Sequence, residues 1–193
     1  KDFGLMRWED LMPYGAGAFL LFGLGSLPAG KLGDQWGRRQ MMLVFFFGMG
    51  ASALLIATTQ GPWQLAAALT VMGAFSSIYH PVGIPMLVQQ ATKPGAAIGV
   101  NGLAGNLGIA AAAIVTGILV EHAGWRAAFA LPGLACFGFG LLFWWRAPHE
   151  SEAPALRTRK AAVQLAPREL ARVLVVMTVA SASGGLVFNL TTN

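Results

Sequence analysis

Few side chains in this 193-residue sequence could do chemistry away from water. The densest group is Ser76-Ser77-Ile78-Tyr79-His80-Pro81, which sits inside a long apolar run. An imidazole can take and return a proton near neutrality, and a phenol beside it can donate or accept a hydrogen bond. Pro81 removes a helical hydrogen bond and frees the carbonyl of Ser77, and Pro85 repeats the defect one turn later. Tyr79 and His80 are therefore candidates for a substrate or proton site. The plainer alternative is a proline kink with His80 bonded to a neighbouring carbonyl. Asn101 and Asn106 are the other polar candidates, able to line a polar pathway on a stretch otherwise rich in Gly and Ala.

A second cluster is ionic. Gly30-Lys-Leu-Gly-Asp-Gln-Trp-Gly-Arg-Arg-Gln40 holds one carboxylate and three cations between two charge-free stretches. Gly30, Gly33 and Gly37 can supply backbone angles forbidden to other residues, so the sequence predicts a short loop here that reverses the chain. Asp34 is placed to cap a helix start or to face a helix N-terminus. Arg38 and Arg39 stand at the mouth of the next helix, in reach of lipid phosphate or a carboxylate.

The elements that must position these groups follow from composition. With 55% apolar and 11% charged residues, the chain is poor in charge for a soluble domain, where about a quarter is usual. No Asp, Glu, Lys or Arg occurs in 11–30, 40–92, 94–120, 127–145 or 173–193. About 20 apolar residues cross a bilayer, so the 40–92 run must hold two spans, with Gln60-Gly61-Pro62 as the break. The fold class is an all-α membrane protein with six transmembrane helices, at roughly 11–30, 40–59, 63–88, 96–120, 127–145 and 170–190. A soluble bundle would need a polar stripe on each helix, and these have none. Pro13 falls in the first turn of the first span, and Gly25 with Ala29 forms a small-x-x-x-small pair for a close neighbour. In the span 96–120, Gly102, Gly105 and Gly108 make a surface for close helix packing, and Pro81 and Pro85 make the kink in 63–88. With the 30–40 loop placed inside, Lys31, Arg38, Arg39, Lys93, Arg146, Arg157, Arg159, Lys160, Arg168 and Arg172 lie inside. Only Lys1, Arg7 and Arg126 lie outside, a strong positive-inside bias.

Three features carry a family resemblance. Gly30-x-x-x-Asp34-x-x-Gly37-Arg38-Arg39 resembles the signature loop between the second and third helices of the major facilitator superfamily, with Gln35 where a basic residue is usual. Gly124-Trp125-Arg126-Ala-Ala-Phe129 resembles the outer turn between its fifth and sixth helices; there Trp125 suits the interface and Arg126 can snorkel or pair with Glu121. The polar segment 147–169 resembles the central loop joining the two six-helix halves. The resemblance implies a fragment holding helices two to seven of twelve. Residues 1–146 would belong to the N-terminal half, 147–169 to the cytoplasmic loop and 170–193 to the first helix of the C-terminal half. The Tyr-His-Pro group followed by Gly105-Asn106-Leu107-Gly108 is more similar to the fosmidomycin-resistance branch of drug exporters than to sugar carriers.

The resemblance implies secondary active transport of a small organic molecule by alternating access, with proton-coupled efflux as the leading expectation. Uptake by symport or facilitation, and a non-transporting membrane scaffold, are the alternatives. The Gly30, Asp34, Gly37, Arg38, Arg39 loop would act as a conformational latch, Asp34 facing a helix N-terminus in the other half. Expected partners are lipid, the substrate, protons, and helix one and the C-terminal half of the same protein. No nucleotide loop, metal-ligand cluster or nucleophile–base pair is visible, so neither a cofactor, a metal, catalysis nor nucleic-acid binding is expected. None of the six spans holds an interior Asp or Glu, which leaves His80 or an absent segment to carry any coupled proton.

Overall fold

A computed structural model describes Phe3, residues 8–147 and Arg168. The chain divides into two compact units, Lys1–Glu150 and Ser151–Asn193, and every helix assigned below lies in the first. The expected span 170–190 and nearly all of the expected loop 147–169 lie outside the described residues.

After a short 3-10 turn at Trp8–Leu11, the helices are α1 (Met12–Trp36), α2 (Arg38–Ala57), α3 (Pro62–Ser76), α4 (Ile84–Gln90), α5 (Pro94–Ala123) and α6 (Trp125–Arg146). A single π-type turn, Tyr79–Gly83, joins α3 to α4, so that Pro62–Gln90 crosses as one bent element. Five crossing elements therefore match five of the expected spans, each long and apolar enough to traverse a bilayer. This is an integral membrane protein, and no strand occurs among the described residues. Prolines open the segments as expected: Pro13 lies in the first turn of α1, and Pro62 and Pro94 begin α3 and α5.

One boundary differs from expectation. Residues 30–36 do not form a loop; α1 runs through them to Trp36, and α2 starts two residues later. Gly37 alone turns the chain, at φ 100°, and Gly124 does the same between α5 and α6 at φ 81°. Gly30 and Gly33 serve packing instead. A Cβ on Gly33 would stand 2.9 Å from Val82 Cγ2, and one on Gly30 3.3 Å from Pro81 Cβ. Their missing side chains admit the π-turn against α1.

The helices associate as two tight pairs, α1 with α3 and α2 with α6, joined through α2 and α3. Lipid tails are as apolar as leucine, so close backbone approach rather than hydrophobic burial must hold them together. Glycines make that approach possible. Gly73 lies on the Ala18 backbone of α1, Gly25 of the predicted pair on Ser77, and Gly50 on Gly133 across the α2–α6 seam. Ala29, Met41, Met42, Ile78 and Val82 form a buried cluster at the Gly37 end; Ile56, Leu65 and Ala68 form another at the far end. Serine and threonine hydroxyls inside the bundle donate back to their own helix, as Ser52 does to Gly48 O at 2.8 Å and Thr70 to Ala66 O at 2.7 Å.

Helix α5 is the exception. None of its residues is buried, and no described atom comes within 4 Å of where a Cβ would stand on Gly102, Gly105 or Gly108. The close packing expected of that stripe is thus not made by any described residue. Substituting Gly73 with Ala should cost about 1–3 kcal/mol, because its Cβ meets backbone that cannot yield. Gly138→Ala, with open space around it, should be neutral or slightly stabilising. Unfolding of the full-length protein by titration with a denaturing detergent reads both.

Candidate functional site

The π-turn decides where the polar candidates go. Pro81 has no N–H to give to the α-helical ladder, and the chain absorbs the lost bond by widening one turn. Pro85 adds no second kink. It is the second residue of α4 and follows the π-turn directly, so its missing N–H falls within the same bend.

Tyr79 and His80, neighbours in sequence and so on different faces of the turn, meet different helices. The Tyr79 hydroxyl donates to Asn101 Oδ1 on α5 at 2.5 Å, and its ring lies 5.6 Å from that of Phe45 on α2. His80 is exposed and meets the Phe22 ring of α1 edge-on at 6.0 Å. Its own contact with Tyr79 is also edge-on, at 5.6 Å. Asn106 is exposed more than a turn further along α5 and joins neither group. Of the four polar candidates the structure pairs Tyr79 with Asn101, sets His80 on the other side of the turn, and leaves Asn106 apart.

Beside the Tyr79–Asn101 bond lies a cleft of about 230 Å³ between α2, the bent crossing, α5 and α6. Met42, Met86, Gln90 and Phe143 help to line it, and none of the four was singled out from the sequence. Methionines in an apolar run carry no spacing signal. Only the rotation of each helix shows that they converge.

At the Gly37 end, Asp34 is in the last turn of α1 and does not cap a helix start; it accepts a bond from Arg38 Nη2 at 3.0 Å. Each charge is at the unfavourable end of its own helix, a carboxylate near a C-terminus and a guanidinium near an N-terminus. The bond across Gly37 offsets both. With Asp34 largely exposed, the pair itself is worth little, about 0–1 kcal/mol.

Arg39 has a different task. Its side chain is only 6% exposed, and it donates from Nη2 to Trp144 O and from Nε to Ala147 O at 3.1 Å. These carbonyls end α6, so Arg39 caps that helix rather than reaching lipid phosphate. At the opposite end, Arg126 donates to Thr59 O, just past the end of α2, at 2.9 Å. Its guanidinium also covers the Trp125 ring at 4.5 Å. The two arginines are equivalent. Each is the second residue of its helix after a positive-φ glycine, in Gly37-Arg38-Arg39 and in Gly124-Trp125-Arg126.

The sequence model of the Major Facilitator Superfamily matches residues 11–193. The chain belongs to this superfamily. Among curated relatives, a probable actinorhodin transporter of Streptomyces coelicolor is 33% identical over 119 residues, covering 58% of this chain and 21% of that protein. A tetracenomycin C resistance and export protein of Streptomyces glaucescens is 31% identical over 132 residues, 65% of this chain and 24% of that protein. A puromycin resistance protein of Streptomyces alboniger is 31% identical over 110 residues, 55% of this chain and 22% of that protein. The chain thus aligns with less than a quarter of the length of each. No solved structure matches it significantly.

Within this partial superfamily fold, the elbow at Gly37 and the turn at Gly124 are where their motifs predicted, and the arginine caps are what the motifs alone did not reveal. Arg39→Ala should lower stability by about 2–3 kcal/mol, because two terminal carbonyls lose a charged donor. Arg39→Lys should recover little of it, since an ammonium cannot fork to both. Arg126→Ala should cost about 1–2 kcal/mol through the loss of its bond to Thr59 O. Thermal midpoints of the purified full-length variants, read by loss of the monodisperse peak, check the order.

Proposed function

We propose that the full-length protein is a proton-linked secondary transporter that exports small organic molecules across a bacterial cytoplasmic membrane. The observation that carries this reading is the superfamily match together with the Asp34–Arg38 elbow between two spans. In this reading residues 1–146 are helices two to six of the N-terminal half, 147–169 is the cytoplasmic loop, and 170–193 begins the C-terminal half. The two halves rock about a central site that opens to alternate sides. The exposed carboxylate of Asp34, poorly served by its own helix end, is available to the N-terminus of a helix in the other half. Gly30 and Gly33 keep the end of α1 close to the π-turn, Gly37 makes the bend, and Arg38 and Arg39 hold it in place. Two of the relatives named above, a tetracenomycin C resistance and export protein and a puromycin resistance protein, support export over uptake.

Coupling falls to His80 or to a segment outside this chain. His80 supports the first option because it stands at the kink, exposed, with ring contacts to Phe22 and Tyr79. A facilitator is the second reading, favoured because the carboxylates of the described spans, Asp34 and Glu121, lie in the last turns of α1 and α5 and none lies in a span's interior. Everted vesicles containing the full-length protein should accumulate an antibiotic substrate when acidified inside, and a protonophore should abolish this. Asp34→Asn should slow accumulation about tenfold or more while leaving the protein folded. His80→Ala should leave downhill counterflow intact and stop uphill accumulation; uphill transport at the normal rate would take His80 out of coupling. Accumulation that ignores the protonophore would leave facilitation as the account.

A further inference from the structure

The cleft beside Tyr79 has a chemistry of its own. Its walls include two thioethers, Met42 and Met86, and two aromatic rings, Tyr79 and Phe143. Thioethers and rings are the side chains that pack best on a flat aromatic face, through sulfur–aromatic and edge or stacked contacts. No charged residue lines it, so an ion would be stripped of water with nothing to pair it. Polarity is confined to Tyr79, Asn101 and Gln90.

The hydrogen-bond inventory at that polar edge is uneven. The Tyr79 proton is committed to Asn101 Oδ1, which leaves the Asn101 NH2 group with two donors and no bond shown among the described residues. Donors turned to an otherwise apolar cleft suit a ligand that accepts. Size narrows the class further. An apolar cavity of about 150 Å³ takes benzene, so about 230 Å³ suits two fused rings. Leu87 and Asn101 also belong to a second, more open hollow of about 470 Å³ between α4 and α5, which gives a ring substituent somewhere to continue.

We propose that this cleft, within the five-helix unit, binds uncharged bicyclic aromatic compounds carrying a carbonyl oxygen, held between Met42, Met86 and Phe143 and recognised by the Asn101 amide that Tyr79 orients. The inference rests on the transport reading for its role, as the place where this class of solute is selected. Tyr79 is a positioning residue: its hydroxyl fixes the Asn101 side chain with the oxygen turned to Tyr79 and the nitrogen free for the ligand.

The test uses the purified full-length protein and tritiated chromone, a neutral two-ring ketone, with unlabelled competitors. Chromone should displace itself, naphthalene should compete about tenfold more weakly for want of an acceptor, and 1-naphthoate should not compete at all. Asn101→Ala should weaken chromone about tenfold and Tyr79→Phe about five- to tenfold, measured well below the thermal midpoint of each variant. Under Tyr79→Phe the preference for chromone over naphthalene should shrink, which a merely structural tyrosine would not cause. Met86→Trp, which fills the cleft, should abolish displacement, and it serves as the second probe if either polar variant misfolds. Chromone binding that none of these variants alters, or naphthoate competing as well as chromone, overturns the proposal. The vesicle assay is independent: transport without this binding sinks the ligand class alone, and binding without transport sinks the transport reading alone.

Discussion

Two antiparallel helices, each fastened at both ends by an arginine, are the constraint on which the rest of this bundle depends. α2 and α6 meet backbone to backbone at Gly50 and Gly133, and their ends are tied by Arg39 and Arg126. A guanidinium in the first turn of a helix is unfavourable for that helix. Both arginines avoid the cost by reaching past their own N-terminus to the C-terminal carbonyls of the partner, where positive charge is favoured. These bonds give donors to carbonyls that the end of a helix leaves without an intrahelical partner. The glycines at 37 and 124 make the geometry possible, because only a positive φ lets the next helix start so soon after the last one ends.

A fixed α2–α6 pair gives the other elements something to act against. α1 and α3 form the second pair, seated on α2 through Phe75 against Gly48. The elbow at Gly37 leaves this platform with Asp34 facing outward, its position set by Arg39 two residues beyond the bend. α5 is held less closely, on α4 and α6, and its main polar tie to the bent crossing is the Tyr79–Asn101 bond. A helix that makes few close contacts can shift at low cost, whereas the clamped pair cannot. The same hydrogen bond thus links the loosest helix to the most irregular turn.

That turn shows how one residue type shapes a site. Pro81 forbids a regular ladder, and the wider turn that results carries two consecutive side chains whose different faces meet different neighbours. The result is a line of rings from Phe22 through His80, Tyr79, Phe45 and Phe46 to Phe143, each within about 6 Å of the next, that crosses the bundle from α1 to α6. Proton chemistry and solute recognition, if both reside here, are separated by a single peptide unit yet face different helices.

The sequence by itself determined where the chain enters lipid. Residence in a bilayer is a property of local composition, so runs without formal charge marked five crossings within a few residues, and the glycine–arginine motifs marked the two sharp turns. It could not determine rotation. These helices are apolar all round, and a helix without a polar stripe does not say which face meets a neighbour. Gly30 and Gly33 therefore looked like loop residues when they are helical spacers, and Asn106 looked as placed as Asn101. Arg39 gave no hint of carbonyls more than 100 residues away. Only the packed structure, where register and close approach are settled together, decided that Asn101 meets Tyr79, that His80 turns to Phe22 while touching Tyr79 only ring to ring, and that two methionines and a phenylalanine help to line the cleft.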